Sequence, residues 1–224
     1  MLPKDPEREA IGRSIAATLM AKHIRQWGHI HAETILTELG ALAGFAAQVS
    51  IRKSVIEPQG LDPGTVLVEA VTKNDERYYF SDLLNLILFE NVSKPPYSIW
   101  TYLTDDLPED AQLRLPDVAE IVSRAARTIG QNAFGVPHLP AAHMPRRLPR
   151  AALNEHWSLV QHELVLSKRD PSEWPYDLAF AARWQMLTNA GVLALPLAVT
   201  IVMEAAVPMS KIDPRTVPGA SHTK

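Results

Sequence analysis

Apolar residues recur every three or four positions along most of the chain, which is the spacing of an amphipathic helix. The first such segment carries Ile15 and Leu19 on one face and follows Asp5 and Pro6. An aspartate suits the N-cap of a helix, and a proline suits its first turn. The sequence therefore predicts a helix that begins at Pro6 and ends near Gly28.

The same period predicts further helices later in the chain. The second is expected over residues 30–54, because Pro58 should prevent its continuation. The others are expected at residues 116–129, 149–167, 176–190 and 195–207. The last of these is apolar on every face except at Glu204, which places it in the centre of a bundle.

One stretch has a period of two instead. Residues 65–72 are rich in β-branched side chains, residues 73–76 are turn formers, and residues 77–80 are aromatic. The helical period returns after Ser81, which suits an N-cap. We therefore expect a mainly α, single-domain helical bundle of about six to eight helices over residues 1–213. It carries one small β-hairpin at about residues 65–80, and residues 214–224 form an extended or disordered tail.

Composition narrows the classes of function. The net charge is −3 and the chain has no cysteine, so a basic nucleic-acid surface is not expected and disulfides are excluded. The N-terminus lacks the apolar core of a secretory signal. The longest apolar run, residues 192–203, is shorter than the roughly 20 residues of a membrane span. These features predict a cytoplasmic protein that binds neither nucleic acid nor membrane.

The densest group of ionisable residues lies in the helix predicted at 149–167. Glu155 and His162 share one side, and His156 and Glu163 share another, in both cases seven positions apart. That spacing is too wide for a shared metal or proton. The ordinary interpretation is that these residues border Trp157 and bond to neighbouring helices or water. The alternative is a pocket acid or base.

Other charged residues raise narrower possibilities. Glu204 needs a partner if it is buried, and Arg183 is the expected one. His29 and Glu33 have the spacing of two metal ligands, but no third ligand can be named, so no metal site is predicted. The basic cluster at Arg146, Arg147 and Arg150 could hold an anion, lie in solvent, or pair with the acidic residues 105–110.

Gly40 and Gly44 place small residues four apart on one helix ridge. Such a ridge lets two helix backbones approach closely, either within the bundle or across a dimer seam.

The sequence contains no nucleotide-binding glycine loop, nucleophile elbow or zinc-protease motif. Five tryptophans and weak catalytic signals favour a non-catalytic binding or assembly protein with an aromatic-lined pocket or dimer seam. The alternative is a small-molecule enzyme with a His/Glu acid–base pair on helix 150–167. The expected partners are a second copy of the chain or a small molecule, with no cofactor. No catalytic residue is designated, and the ligand-binding candidates are His156, Trp157, His162, Glu163, Arg183 and Trp184.

Overall fold

The computed structural model describes residues 5–89 and 97–220, which fold into helices and a single two-stranded antiparallel hairpin. The prediction of a mainly α fold with one hairpin is confirmed. The helices are α1 Pro6–Trp27, α2 Ala32–Ile51, α3 Glu57–Gln59, α4 Pro63–Val66, α5 Asp82–Leu88, α6 Ile99–Thr104, α7 Glu109–Gln112, α8 Val118–Arg127, α9 Pro149–Leu166, α10 Trp174–Thr188 and α11 Leu195–Met209. The strands are β1 Val68–Val71 and β2 Arg77–Phe80.

Helix α2 runs through the middle of the bundle and packs against α9, α10 and α11. Its glycine ridge lies directly against the backbone of α11. A Cβ atom on Gly40 would lie 2.4 Å from the carbonyl oxygen of Val202, and one on Gly44 would lie 2.0 Å from that of Ala206. The ridge therefore serves a helix crossing inside the chain, where α11 covers it.

The segment Ala32–Gln59 is long and apolar enough to cross a membrane, judged by length and composition alone. All of its most apolar window is buried inside the protein. The core helix of a bundle has the same two properties, because it must be apolar on every side.

Both ends of α1 follow the sequence signals. Asp5 accepts a hydrogen bond from the backbone N–H of Arg8, and Gly28 ends the helix in a left-handed conformation with φ of 76°. The end of α2 does not follow them. It continues as a π-helical segment, Arg52–Ile56, into α3, and passes Pro58 before Gly60 ends it. Pro58 is the second residue of α3, which directly follows the π-helical segment near the end of the continuous helix.

The hairpin is shorter than expected because Thr65 and Val66 belong to α4. Its strands pair Val68 with Phe80 at the open end, and β2 also contacts the chain beyond α11. There the Tyr79 N–H donates to the carbonyl of Lys211 over 2.9 Å. This bond fixes the hairpin to the segment that follows α11.

The C-terminal residues that the structure describes pack on the body. The sequence predicts an extended or disordered tail from residue 214. In the structure Pro214–Thr216 forms a 3-10 turn, Val217 is buried, and Arg150 donates to the Thr216 hydroxyl over 2.8 Å. Residues 221–224 lie outside the described ranges.

Candidate functional site

The predicted ligand-binding residues do not share one pocket in the structure. On α9, His156 and Trp157 are completely buried, whereas His162 is exposed. Glu163 accepts a hydrogen bond from the Thr18 hydroxyl of α1 over 3.0 Å. Trp157 packs edge-on against Phe45 with ring centres 4.7 Å apart. These side chains mainly hold α9 against α1 and α2.

His156 belongs to a buried polar network around Glu38, a residue of α2 that sequence reasoning did not single out. Glu38 lies 2.9 Å from Nε2 of His23 and accepts from Arg147 over 2.5 Å. Burial alone would raise the pKa of Glu38, but hydrogen bonds from His156 and His23 lower it to about 2. The carboxylate is therefore ionised and enclosed by its partners.

His156 itself has little freedom to act as a base. Its Nδ1 lies 3.3 Å from Lys22 Nζ, and its Nε2 lies 3.0 Å from Arg147 Nη1. Neutral imidazole has one acceptor nitrogen, so it cannot accept from both of these cationic donors. With the ring fully buried between them, a substrate would have to displace packed side chains to reach it.

The remaining candidates are held by contacts with other helices. Arg183 donates to the backbone carbonyls of Tyr102 and Asp105, over 2.9 and 2.6 Å. Trp184 is half-buried against the main core. Glu204 does not have the partner expected from the sequence, Arg183, because it forms its ion pair with Arg124 of α8.

The basic cluster is divided among separate contacts. Arg147 joins the Glu38 network, Arg150 contacts the C-terminal turn, and Arg146 lies above the ring of Trp27. Within the described ranges no group of three or more histidine, aspartate or glutamate side chains could hold a metal ion.

A second buried cluster joins the starts of α1 and α10. The Asp177 carboxylate accepts from Arg8 over 3.0 Å and from Arg169 over 3.1 Å. Desolvation raises the pKa of Asp177, against the opposing effect of the two arginines. All three groups have close partners, which is the arrangement of a structural ion-pair network.

A cavity of about 500 Å³ lies between the hairpin turn and the start of α9. Arg77 and Arg215 line it, but each already pairs with a carboxylate, Glu69 and Asp213 respectively. A ligand there would have to compete with ion pairs that are already formed. This cavity is the weaker binding candidate.

The stronger candidate is a cleft of about 650 Å³ between the hairpin, α4, the start of α5 and α8. Its walls are mostly apolar, with Val55, Val66, Val68, Phe80, Leu83 and Val122 among the lining residues. Lys211, which follows α11, also lines this cleft. We refer to it below as the Lys211 cleft.

Lys211 is unusual because its side chain is buried with no opposite charge beside it in the part of the chain that the structure describes. It is only 5% exposed, and no carboxylate among the described residues lies within ion-pair distance of its Nζ. Nζ lies 5.4 Å from the centre of the Phe80 ring, a weak compensating contact. Burial lowers the pKa of Lys211 from its ordinary 10.5 to about 8.

Sequence reasoning missed Lys211 because nothing nearby in the chain marks it. It lies four residues beyond the predicted end of the last helix, in a stretch that carries no motif. The signal is the contrast between a long apolar helix, Leu195–Met209, and a cation two positions later. That contrast indicates a buried cation only once the hairpin is known to cover Lys211.

No protein-family model matches the chain, and no curated protein or solved structure matches it significantly.

Proposed function

We propose that this protein binds a small apolar molecule that carries one carboxylate, with the Lys211 ammonium as its counter-charge. The observation that carries the proposal is a buried cation at an apolar cleft, with no ionic partner among the residues that the structure describes. A buried charge is costly unless it is paired. A bound carboxylate would supply the missing partner.

The dimensions and the lining of the cleft support a ligand of this kind. Its volume of about 650 Å³ is within the roughly 300–1,000 Å³ of small-molecule sites. The apolar walls suit a hydrocarbon body, and Lys211 suits its head group. Asp82 is the other ionisable lining residue, but it is exposed and begins α5, where the helix dipole partly offsets its charge.

The proposal keeps the binding function expected from sequence and changes its location. The expected aromatic lining is limited to Phe80 in this cleft, and the candidates on α9 lie elsewhere. An acid–base role for His156 receives no support from the enclosure of its ring. Homodimer formation and a cytoplasmic location stay predictions.

The charge requirement is tested by titrating the purified protein with decanoate and with decanol in a calorimeter. The two ligands share a hydrocarbon chain and differ in the head group. We expect decanoate to bind about tenfold to a hundredfold more tightly than decanol, since a hydrogen bond to a charged group contributes about 1.5–3 kcal/mol. Lys211→Met should abolish that preference. Equal affinities in the unaltered protein would contradict the proposal.

The location is tested by blocking the cleft. Ala126 lines it and is exposed on α8, so Ala126→Trp should narrow the cleft without disturbing the core. Ala119 is exposed on the same helix and is absent from the lining, which makes Ala119→Trp the matched control. We expect the first substitution to weaken decanoate binding and the second to leave it unchanged. Equal effects would place the ligand elsewhere.

A further inference from the structure

We infer that Lys211 is also a nucleophile that condenses reversibly with apolar aldehydes to form an imine. This inference rests on the proposed function, because it requires the same cleft to admit an apolar molecule. It differs in the head group, since a carboxylate pairs with the ammonium form and an aldehyde reacts with the free amine. The structure thus assigns the cleft a covalent modification site.

The reaction needs no partner beyond the aldehyde. The lone pair of Nζ attacks the carbonyl carbon, and a C–N bond forms while the carbonyl oxygen takes up a proton. The resulting hydroxyl leaves as water, and Nζ loses its remaining proton as the C=N bond forms. One aldehyde and one amine give one imine and one water, with no oxidation or reduction.

The enclosure of Lys211 favours the attacking form of the amine. With a pKa of about 8, about one side chain in ten carries a free amine at pH 7. An exposed lysine with an ordinary pKa has only a few free amines in ten thousand at that pH. Desolvation in an apolar pocket is a recognised way to activate a lysine nucleophile.

The surroundings of Lys211 lack the carboxylate that usually keeps a buried lysine protonated, as far as the described residues show. Most lysines that are deeply buried hold a carboxylate, which keeps the amine protonated. The described residues offer no such partner to Nζ, and Asp82 is exposed. The apolar walls, including Phe80 and Val66, also suit the hydrocarbon part of an aldehyde such as octanal.

The test treats the full chain at pH 7 with a limiting amount of octanal and sodium cyanoborohydride, which traps an imine as a stable secondary amine. Peptide mapping by mass spectrometry then locates the label. The α-amino group has an ordinary pKa near 8, so some labelling there is the expected background. Lys73 lies exposed in the hairpin turn and serves as the internal reference.

We expect Lys211 to be labelled at least about tenfold faster than Lys73, with a rate that rises to half of its maximum near pH 8. Ala126→Trp should slow labelling of Lys211, and Ala119→Trp should not. Labelling of Lys211 at or below the rate of Lys73 in the unaltered protein would overturn the inference. Because that map needs no substitution at Lys211, misfolding of a variant cannot obscure the result.

The two proposals fail in different ways. Decanoate binding without preferential labelling rejects the nucleophile and leaves the binding function standing. Preferential labelling without decanoate binding supports the nucleophile and rejects the carboxylate ligand. If decanoate binds and slows the labelling of Lys211, both proposals are supported at the same cleft.

Discussion

The carboxylate of Glu38 and the guanidinium of Arg147 lie 2.5 Å apart and join the central helix α2 to the long irregular segment before α9. Arg147 also donates to Gln26 over 2.6 Å and pairs with Glu155 over 2.9 Å. The pair is almost completely buried. A segment with little regular structure is therefore fastened to the core by a charged contact.

The Glu38 carboxylate should make stability depend on pH, because His156 and His23 lower its pKa. The pKa of Glu38 falls from about 4.5 in the unfolded chain to about 2 in the folded protein. The ionised carboxylate then stabilises the fold by about 3 kcal/mol above pH 4.5, and this contribution is lost as the pH falls towards 2. Glu38→Gln removes the titration, so the difference in unfolding free energy between the two proteins should shrink over this range. We would measure it by urea denaturation at several pH values, and a constant difference would contradict the assignment.

Removing the Arg147 guanidinium should strongly lower the stability of the protein. Arg147→Met leaves the Glu38 carboxylate buried without its cation, which is expected to lower the unfolding free energy by about 3–5 kcal/mol. Arg146 is the matched control, because it is the neighbouring arginine and is exposed. Arg146→Met should change stability by less than about 1 kcal/mol. Thermal or urea unfolding measures both variants. Similar losses of unfolding free energy would mean that the buried pair contributes no more to stability than an exposed arginine does.

The crossing of α2 and α11 should not tolerate a methyl group. Gly44→Ala would place Cβ 2.0 Å from the Ala206 carbonyl oxygen, so the two backbones must move apart. We expect a loss of at least about 1–3 kcal/mol, the usual cost of overpacking a core. At Gly191 no atom lies within 4 Å of an added Cβ, and Gly191→Ala should be nearly neutral. Equal stabilities for the two variants, measured by urea unfolding, would show that the crossing is looser than the structure indicates.

Lys211 should lower stability at neutral pH. Its pKa falls from 10.5 to about 8 on folding, so the folded protein binds fewer protons and becomes more stable as the pH rises from 8 towards 10.5. Lys211→Met should therefore be more stable than the unaltered protein by about 3 kcal/mol at pH 7. The gap should close near pH 10. Chemical denaturation at both pH values checks this, and a destabilised methionine variant at pH 7 would show that the ammonium has a partner.

The helix boundaries show how far local signals reach. Asp5, Ser81 and Asp117 each cap the helix that follows, because a cap bonds to backbone groups two or three residues away. Such contacts can be predicted from spacing. The continuation of α2 past Pro58 could not, because it depends on a π-helical segment that tertiary packing accommodates.

Ion-pair partners show where local signals stop. Glu204 was expected to need a cation, and it has one, but the partner is Arg124, which is 80 positions away in sequence and not the expected Arg183. That Glu204 needs a cation can be predicted from the apolar residues around it in the sequence, because burying an unpaired charge is costly. The identity of the partner depends on how α8 crosses α11.

The sequence by itself determined the helical class, the single hairpin and the approximate bounds of most of the longer helices, because periodicity and capping act over a few neighbouring residues. Only the tertiary structure decided that the glycine ridge serves α11, that His156 is enclosed, and that Lys211 meets an apolar cleft. The lining of that cleft comes from positions as distant as Val55 and Lys211. Their proximity results from packing between elements, which no short-range spacing encodes.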